Sequence, residues 1–363
     1  MTSKERMMTA VRRGKPDRLP VTIHQWQDWH LEHYMNGMTD LEANIACGFD
    51  AAITYSHMTQ PDSPDWRVER TVTKEKEYTV WRWRITTPEG VLTESKSDNG
   101  ITSWVTEHLI KNPEDIRLLK YQPVPVLDKA GAREMYDRLG DRGILRTFVC
   151  GRQGGCWQDA CELFGVEDLI YATYDDPDWV HEFLGILLEK KLRYIEESLC
   201  DTPFDLVETG GGAASNNVIS PALHEEYCLP YDAKVHAAIH AQGLPVVYHT
   251  CGGMTKLPEL IVKNGCDASE TLSPAGVGGD IVTDEDGLRL AAALKPHVGI
   301  IGGMDQFNLL EKGTPEAIEN EVHRLFRVFG EGGGYICSAS DHFFAAPPEN
   351  LKVFARAALD CVY

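Results

Sequence analysis

The feature that most constrains the fold is the alternation of short apolar runs with helical segments along most of the chain. Between successive runs, apolar residues recur at helical spacing, which is the pattern of βα units. The strand candidates lie at 19–23, 49–56, 144–150, 204–208, 244–248, 266–270, 297–301 and 334–338. This count approaches the eight parallel strands of a barrel, so we predict an α/β fold, a single (β/α)8 TIM barrel over residues 1–363.

Residues 66–107 depart from this pattern. Arg67–Thr73 and Tyr78–Ile85 alternate polar with apolar side chains, and Pro88-Glu89-Gly90 supplies a turn between extended segments. Alternation with a period of two is typical of strands that expose one face to solvent. The sequence therefore predicts an antiparallel β-meander inserted into the βα series near the N-terminus.

The composition excludes several classes of protein. A formal net charge of −20 opposes binding to a phosphate backbone or an anionic membrane, and no dense block of Lys and Arg offsets it. No stretch approaches the roughly 18 uninterrupted apolar residues of a membrane helix, and Met1–Arg6 lacks the apolar core of a secretory signal. The ten cysteines are scattered along the chain, which is too long to need disulfides. We expect a cytoplasmic, reduced protein that binds neither nucleic acid nor membrane.

An α/β barrel places its active site at the carboxyl ends of the strands, so the residues that follow each run are the candidates for chemistry. His249 and Cys251 follow the run 244–248, and alternate residues of an extended chain point the same way, so both can reach one ion. A third ligand from a neighbouring strand would complete a catalytic zinc site with one open position. Cys337 on the last strand is the first choice. The alternatives for this ligand are Glu270, Asp341 and His342.

Glu208 is the leading candidate for acid–base chemistry. It ends the run 204–208, where a buried carboxylate is costly unless it is paired, ligating or catalytic. Asp341 and His342, beyond the last strand, are the other candidates for proton transfer. The structural alternative is core packing, because a lone His-x-Cys pair or a buried cysteine is more often a core feature than a ligand.

Two further segments have a functional and a structural interpretation. Residues 24–34 bring three histidines and two tryptophans together after the first strand. They form either an aromatic wall of a substrate pocket or a surface helix with half-buried tryptophans. The Gly-rich segment 150–157 lacks the Lys-Ser/Thr that would make it a nucleotide cradle, so we interpret it as backbone close to a ligand.

The chain resembles the uroporphyrinogen decarboxylase superfamily nearly end to end. The resemblance implies a (β/α)8 barrel with its active site at the carboxyl ends of the strands. The segments that carry it are Lys4-Glu5-Arg6, Pro16–Val21, Ser220–Tyr227, His249–Gly253, Gly302–Asp305 and Pro347–Asn350.

Within that superfamily the chain is most similar to the zinc methyltransferase branch. Decarboxylases carry an Arg-rich signature after the first strand, where this chain has Ile23–Asp28. His249-Thr250-Cys251 is similar to the His-x-Cys of the methyltransferases, which exchange a methyl group with the cobalt of a separate corrinoid protein. The coenzyme M branch has Gly-Cys where this chain has Asp341-His342, and the chain also resembles the O-demethylase methyltransferases. The third ligand is therefore open between Cys337 and these alternatives.

The resemblance implies a methyltransferase that uses Zn2+ and moves a methyl group from a small methylated donor, such as an aryl methyl ether, to cob(I)amide. No Asp-x-His-x-x-Gly segment is present to bind cobalamin, so the corrinoid is expected on a partner protein. Gly252 and Asp305 are expected to contact that cofactor. The alternatives are a methylcorrinoid:thiol methyltransferase, a metal-independent decarboxylase of the same fold, and a catalytically silent binding barrel.

Overall fold

The computed structural model describes all residues from Met1 to Tyr363. Eight parallel strands form one sheet, whose hydrogen-bonded order is β1-β8-β7-β6-β5-β4-β3-β2. These strands are β1 (Val21–Thr22), β2 (Ala51–Thr54), β3 (Gly143–Phe148), β4 (Leu206–Gly210), β5 (Val246–His249), β6 (Ala268–Thr271), β7 (Gly299–Met304) and β8 (Tyr335–Ala339). Each overlaps a predicted run, and the predicted TIM barrel is confirmed.

Helices surround the sheet and connect its strands. Ser3–Val11 precedes β1, and the longest helix, Pro177–Tyr194, leads through a π-helical turn at Ile195–Leu199 towards β4. The α-helices are α1 (Ser3–Val11), α2 (Asp28–Tyr34), α3 (Asp40–Cys47), α4 (Lys129–Leu139), α5 (Cys156–Phe164), α6 (Val166–Asp175), α7 (Pro177–Tyr194), α8 (Pro221–Tyr227), α9 (Leu229–Ala241), α10 (Pro258–Lys263), α11 (Asp284–Leu294), α12 (Pro315–Leu325) and α13 (Pro348–Ala357). None of them combines the length and the apolar character needed to cross a bilayer.

Asp50 joins the two ends of the barrel sheet. Its backbone N–H donates to the Val21 carbonyl at 2.9 Å, and its carboxylate accepts from the Val21 N–H at 3.1 Å. Arg6 and Arg18 both donate to the same buried carboxylate, at 2.7 and 2.9 Å. Two guanidinium groups offset the cost of burying this charge. These contacts link β1 to the start of β2, where no strand pairing is formed.

The interior of the barrel is layered, because side chains along a strand alternate between the interior and the helices. An apolar layer near the amino ends of the strands packs against Met7, Met8 and Val11 of α1, which covers that end of the barrel. The members of this layer are Ala52, Ile144, Leu206, Val247, Ala268, Ile301 and Ile336. Two residues further along each strand, the next inward-facing positions lie nearer the carboxyl ends.

The predicted meander is confirmed as a four-stranded antiparallel sheet. Its strands, labelled in order, are βA (Arg67–Glu75), βB (Tyr78–Thr86), βC (Val91–Asp98) and βD (Ser103–Glu107). A short antiparallel pair of Met58–Thr59 with Val126–Leu127 flanks the insertion, and the sequence pattern did not predict it.

Candidate active site

Four charged or titratable side chains occupy inward-facing positions directly above the apolar layer. Arg146, Glu208, His249 and Glu270 each lie two residues after a member of that layer, on β3, β4, β5 and β6. All four are at most 2% exposed. Ionisable groups buried together in this way must neutralise one another, and such groups are frequent at functional sites.

Arg146 bridges the two carboxylates of this polar layer. Its Nη2 donates to Glu208 Oε2 at 2.6 Å and to Glu270 Oε1 at 2.8 Å. Burial raises the pKa of Glu270, but Arg146, His249 and His24 outweigh burial and hold that pKa well below its usual range. Burial and the neighbouring Glu270 raise the pKa of Glu208 to about 7. The two carboxylates therefore have different protonation states near neutral pH.

His249 connects this layer to a group of metal-type donors at the mouth of the barrel. Its Nδ1 lies 3.0 Å from Glu270 Oε1, which leaves Nε2 for another partner. One donor atom from each of His249, Cys251 and Asp341 lies within 4.8 Å of the others. Burial lowers the pKa of His249, but Cys251 and Glu270 raise it to well above its usual value. The structure thus brings three of the predicted site residues together.

His24 and His342 flank this group. His24 follows β1, and its ring centroid lies 4.8 Å from that of His249 and 5.2 Å from that of His342. Donor atoms of His24, His342 and Asp341 also lie within 4.8 Å of one another. Burial, together with the neighbouring His249 and His342, lowers the pKa of His24 to about 3, so this imidazole is neutral.

The prediction that Cys337 completes the metal site does not fit the geometry. Ile336 belongs to the apolar layer inside the barrel, so the next residue, Cys337, faces the surrounding helices and packs in the outer core. Burial raises the pKa of this thiol to about 12, and it stays protonated. Asp341, and not Cys337, lies beside His249 and Cys251.

The two residues expected to contact a cofactor differ in their placement. Asp305 caps the turn that follows β7, where its carboxylate accepts from the N–H groups of Phe307 and Asn308 at 3.1 and 2.7 Å. It therefore stabilises this turn, and its contact with a cofactor stays a prediction. Gly252 follows Cys251 with φ +105°, and a Cβ there would lie 2.9 Å from Ser215 Oγ.

The segment 150–157 reaches the polar layer through a residue that sequence reasoning missed. Gln153 donates to Glu208 Oε1. Lys191 of α7 supports the segment from behind, donating to the Gly154 carbonyl at 2.7 Å and pairing with Asp159 at 2.6 Å. The segment thus lies beside the polar layer, and its closeness to a ligand stays a prediction.

Residues 24–34 match the surface-helix interpretation in part, because Trp29 is half-buried on α2, whose Asp28 and Glu32 are exposed. Trp26 and His30 are buried against Phe343, with ring centroids 5.7 and 4.9 Å from it. His24 is the residue of this segment that enters the polar layer. The signal that could have found it is the inward-facing position two residues after Thr22.

The α/β barrel and the donors at its mouth define a barrel protein with a candidate metal centre. The uroporphyrinogen decarboxylase (URO-D) family profile matches residues 90–360, and the chain belongs to that family, as the sequence predicted. A methyltransferase from Methanosarcina mazei has the same fold, with a TM-score of 0.67 at 13% identity over 99% of both chains.

The relatives that are similar to this chain include proteins named as decarboxylases and proteins named as methyltransferases. The uroporphyrinogen decarboxylase of Pseudoalteromonas atlantica is 29% identical over 51% of this chain and 49% of the relative. A "Methylated-thiol--coenzyme M methyltransferase" of Methanosarcina mazei is 24% identical over 54% of this chain and 49% of the relative. The chain therefore spans about half the length of these two relatives. The methylcobamide:CoM methyltransferase MtbA of Methanosarcina acetivorans is 22% identical over 100% of this chain and 99% of its own length.

Proposed function

We propose that this protein is a zinc-dependent methyltransferase that moves a methyl group from a small methylated donor to the cobalt of a corrinoid carried by a separate protein. The observation that carries the proposal is the group formed by His249, Cys251 and Asp341, whose donor atoms lie within 4.8 Å of one another. Nitrogen, sulfur and oxygen donors suit zinc, and three protein ligands with an open position are typical of catalytic zinc sites.

The surroundings of these donors fit a cation. Glu270 accepts from His249 Nδ1, the arrangement that orients an imidazole for a metal on its other nitrogen. His24 Nδ1 and His342 Nδ1 are buried without a hydrogen-bond partner, as expected of groups that face an ion or its ligands. Zinc held there would act as a Lewis acid on the oxygen or sulfur that carries the methyl group.

Glu208 is the proposed proton carrier. Its carboxylate is fixed by Arg146 at 2.6 Å and by Gln153, and it lies 3.4 Å from His249 Nδ1. With a pKa of about 7, it exchanges a proton readily at neutral pH. In this role Glu208 protonates the oxygen or sulfur that departs when the methyl group leaves it, while Arg146 keeps the carboxyl group in place.

The relatives support a corrinoid partner. Two relatives named methylcobamide:CoM methyltransferase MtbA, from Methanosarcina acetivorans and Methanosarcina mazei, match over the whole of this chain. Cobalt(I) is a strong nucleophile, so the chain's own residues act mainly on the leaving group. An aryl methyl ether is one donor that such a site would serve.

A second candidate is methyl transfer from the corrinoid to a thiol. The names of the relatives that include coenzyme M favour it, as do the sulfur and nitrogen donors of Cys251 and His249. In that direction the thiol would approach these donors and Glu208 would take up its proton. A metal-independent decarboxylase has less support, because Arg146 is bonded to Glu208 and Glu270 and is not free to hold substrate carboxylates.

The test is metal content by mass spectrometry together with methyl transfer. We expect about one zinc per chain, lost in His249→Ala and Asp341→Ala but kept in Cys337→Ala, the matched control for a buried donor outside the group. Methyl transfer is assayed with cob(I)alamin and a panel of aryl methyl ethers, and in reverse with methylcobalamin and thiols. A protein without stoichiometric metal, or full activity in His249→Ala, would overturn the proposal.

A further inference from the structure

The first strand of the inserted sheet has a free edge. βA pairs with βB on one side, and no strand lies along its other side. All nine of its residues are exposed, including Val68 and Val72, which are 50% and 51% exposed. A long strand with an unpaired edge is a template for pairing with another strand.

The hairpin turn determines which backbone groups of βA are free. Glu75 pairs with Tyr78 across a two-residue turn, and the residues that flank such a turn exchange hydrogen bonds with each other. Because this bonding alternates along an antiparallel pair, the odd-numbered residues of βA bond to βB. The N–H and C=O groups that face outward belong to Val68, Arg70, Val72 and Lys74.

A second copy of βA can pair with this edge only where even-numbered residues lie opposite each other. In a register centred on Arg70, the guanidinium of Arg70 lies opposite the guanidinium of Arg70 in the second copy. A register centred on Val72 places Glu69 opposite Glu75 and Arg70 opposite Lys74. Like charges directly opposite each other are destabilising, so both registers are disfavoured.

The register centred on Thr71 is self-complementary. It places Arg67 opposite Glu75 of the second copy, twice by symmetry, and no like charges lie opposite each other. Arg67 has no ion-pair partner in its own chain, whereas Glu75 is held by Arg82 at 2.6 Å on the same sheet face. Val72 of each copy then lies diagonally across from its symmetry mate, within reach of a contact between the two valines.

We propose that βA is a homodimerisation edge, and that two copies of this chain pair through it in antiparallel orientation about a two-fold axis at Thr71. The interface is isologous, as a two-fold dimer requires. It joins the two inserted sheets into one continuous sheet and places them between the two barrels. This inference is independent of the proposed methyl transfer.

Light scattering after gel filtration, across a dilution series at about 0.15 M salt, tests the proposal. The wild-type protein is expected at twice the chain mass of 40.5 kDa. Arg67→Glu alone and Glu75→Lys alone each place like charges opposite each other twice, and each is expected to weaken the dimer by roughly tenfold or more. An equimolar mixture of the two variants restores both opposite-charge pairs, so the dimer is expected to return as a heterodimer.

Two further variants make the test specific. Lys312→Glu makes the same change of charge as Arg67→Glu at an exposed residue outside the inserted sheet. It is expected to leave the dimer intact. Val72→Pro removes an outward-facing N–H but no bond to βB, and it is expected to weaken the dimer without unfolding the hairpin. A monomeric wild-type protein, or a mixture of the two charge variants that stays monomeric, would overturn the proposal.

Discussion

His249 Nδ1 lies 3.0 Å from Glu270 Oε1, so the carboxylate fixes which ring nitrogen of the histidine faces Cys251 and Asp341. An imidazole that donates to a carboxylate is oriented and made more basic, and both effects strengthen its bond to a metal. Glu270 is itself held by Arg146 at 2.8 Å. The proposed metal centre is therefore supported from within the barrel.

Glu270→Gln is expected to weaken zinc binding by about 10- to 100-fold. The amide still accepts from His249, but the negative charge that polarises the imidazole is lost. Competition with a chromogenic chelator measures the affinity. Glu225→Gln, which changes an exposed carboxylate paired with Lys263 at 3.4 Å, is the matched control. Equal affinity in wild type and Glu270→Gln would show that this carboxylate does not support a metal ligand.

Gly212→Ala is expected to displace Cys251. A Cβ at Gly212 would lie 2.7 Å from Cys251 Sγ, so the thiol has to move. We expect a lower zinc affinity with little change in the melting temperature. Gly185→Ala in α7 is the control, because no atom lies within 4 Å of its added Cβ, and the change should stabilise the helix by about 0.5–1 kcal/mol. Unchanged zinc affinity in Gly212→Ala would count against Cys251 as a ligand.

Lys191→Met is expected to destabilise the fold by about 1–3 kcal/mol, because Asp159 loses one of two cationic partners and keeps Arg152 at 3.4 Å. The change leaves Asp159, which is 5% exposed, buried without its 2.6 Å ammonium partner. It also removes the donor to the Gly154 carbonyl, next to Gln153. Urea unfolding of Lys191→Met and of its half-buried neighbour Lys190→Met gives the comparison. Similar stabilities of the two variants would contradict the buried ion pair.

The buried carboxyl group of Asp232 is expected to make the folded protein less stable as the pH rises. Burial raises its pKa from 3.8 to about 7, although the Tyr248 hydroxyl donates to it at 2.9 Å. A carboxyl group with a raised pKa in the folded state stabilises the fold below its unfolded pKa, and this contribution is lost as the pH rises through about 7. The contribution is worth roughly 4 kcal/mol in full.

Asp232→Asn is expected to remove that part of the pH dependence, because the amide stays neutral. Urea unfolding at about pH 5 and about pH 8 measures the free energy of unfolding of both proteins. The wild type should lose more stability between these two values than the variant does. An equal loss in both proteins would mean that Asp232 does not titrate in this range.

The barrel could be predicted from sequence because its strands are short apolar runs at regular spacing. His249 and Cys251 could be predicted because the pattern His-x-Cys follows one of these runs. Whether the Cys337 side chain faces the barrel interior or the helices could not be predicted. Every residue of Tyr335–Ala339 is buried, so the inward-facing and outward-facing positions do not differ in hydrophobicity. The direction of the Cys337 side chain follows only from the register of the whole sheet.

Arg146 and His24 were missed for a different reason. Arg146 interrupts the apolar run 144–150, and a charge inside a buried strand is itself a signal of a partner or a site. His24 is followed at once by a run of aromatic residues that hides it in the sequence, although its position continues the inward-facing alternation of β1. Arg146 contacts Glu208 on the neighbouring β4 and Glu270 on β6, and His24 contacts the same two carboxylates, so these partners become visible only when the barrel closes.

The first helix gives the barrel a closed floor, because Met7, Met8 and Val11 fill its amino-terminal end. The donors of the proposed metal centre are therefore reached from the carboxyl ends of the strands, and a small molecule and a large partner have to share that entrance. In the proposed methyl transfer, the small molecule has to enter before the partner covers the entrance, and it can leave only after the partner departs. Steady-state kinetics should therefore follow a compulsory order, with the small reactant first on and its product last off.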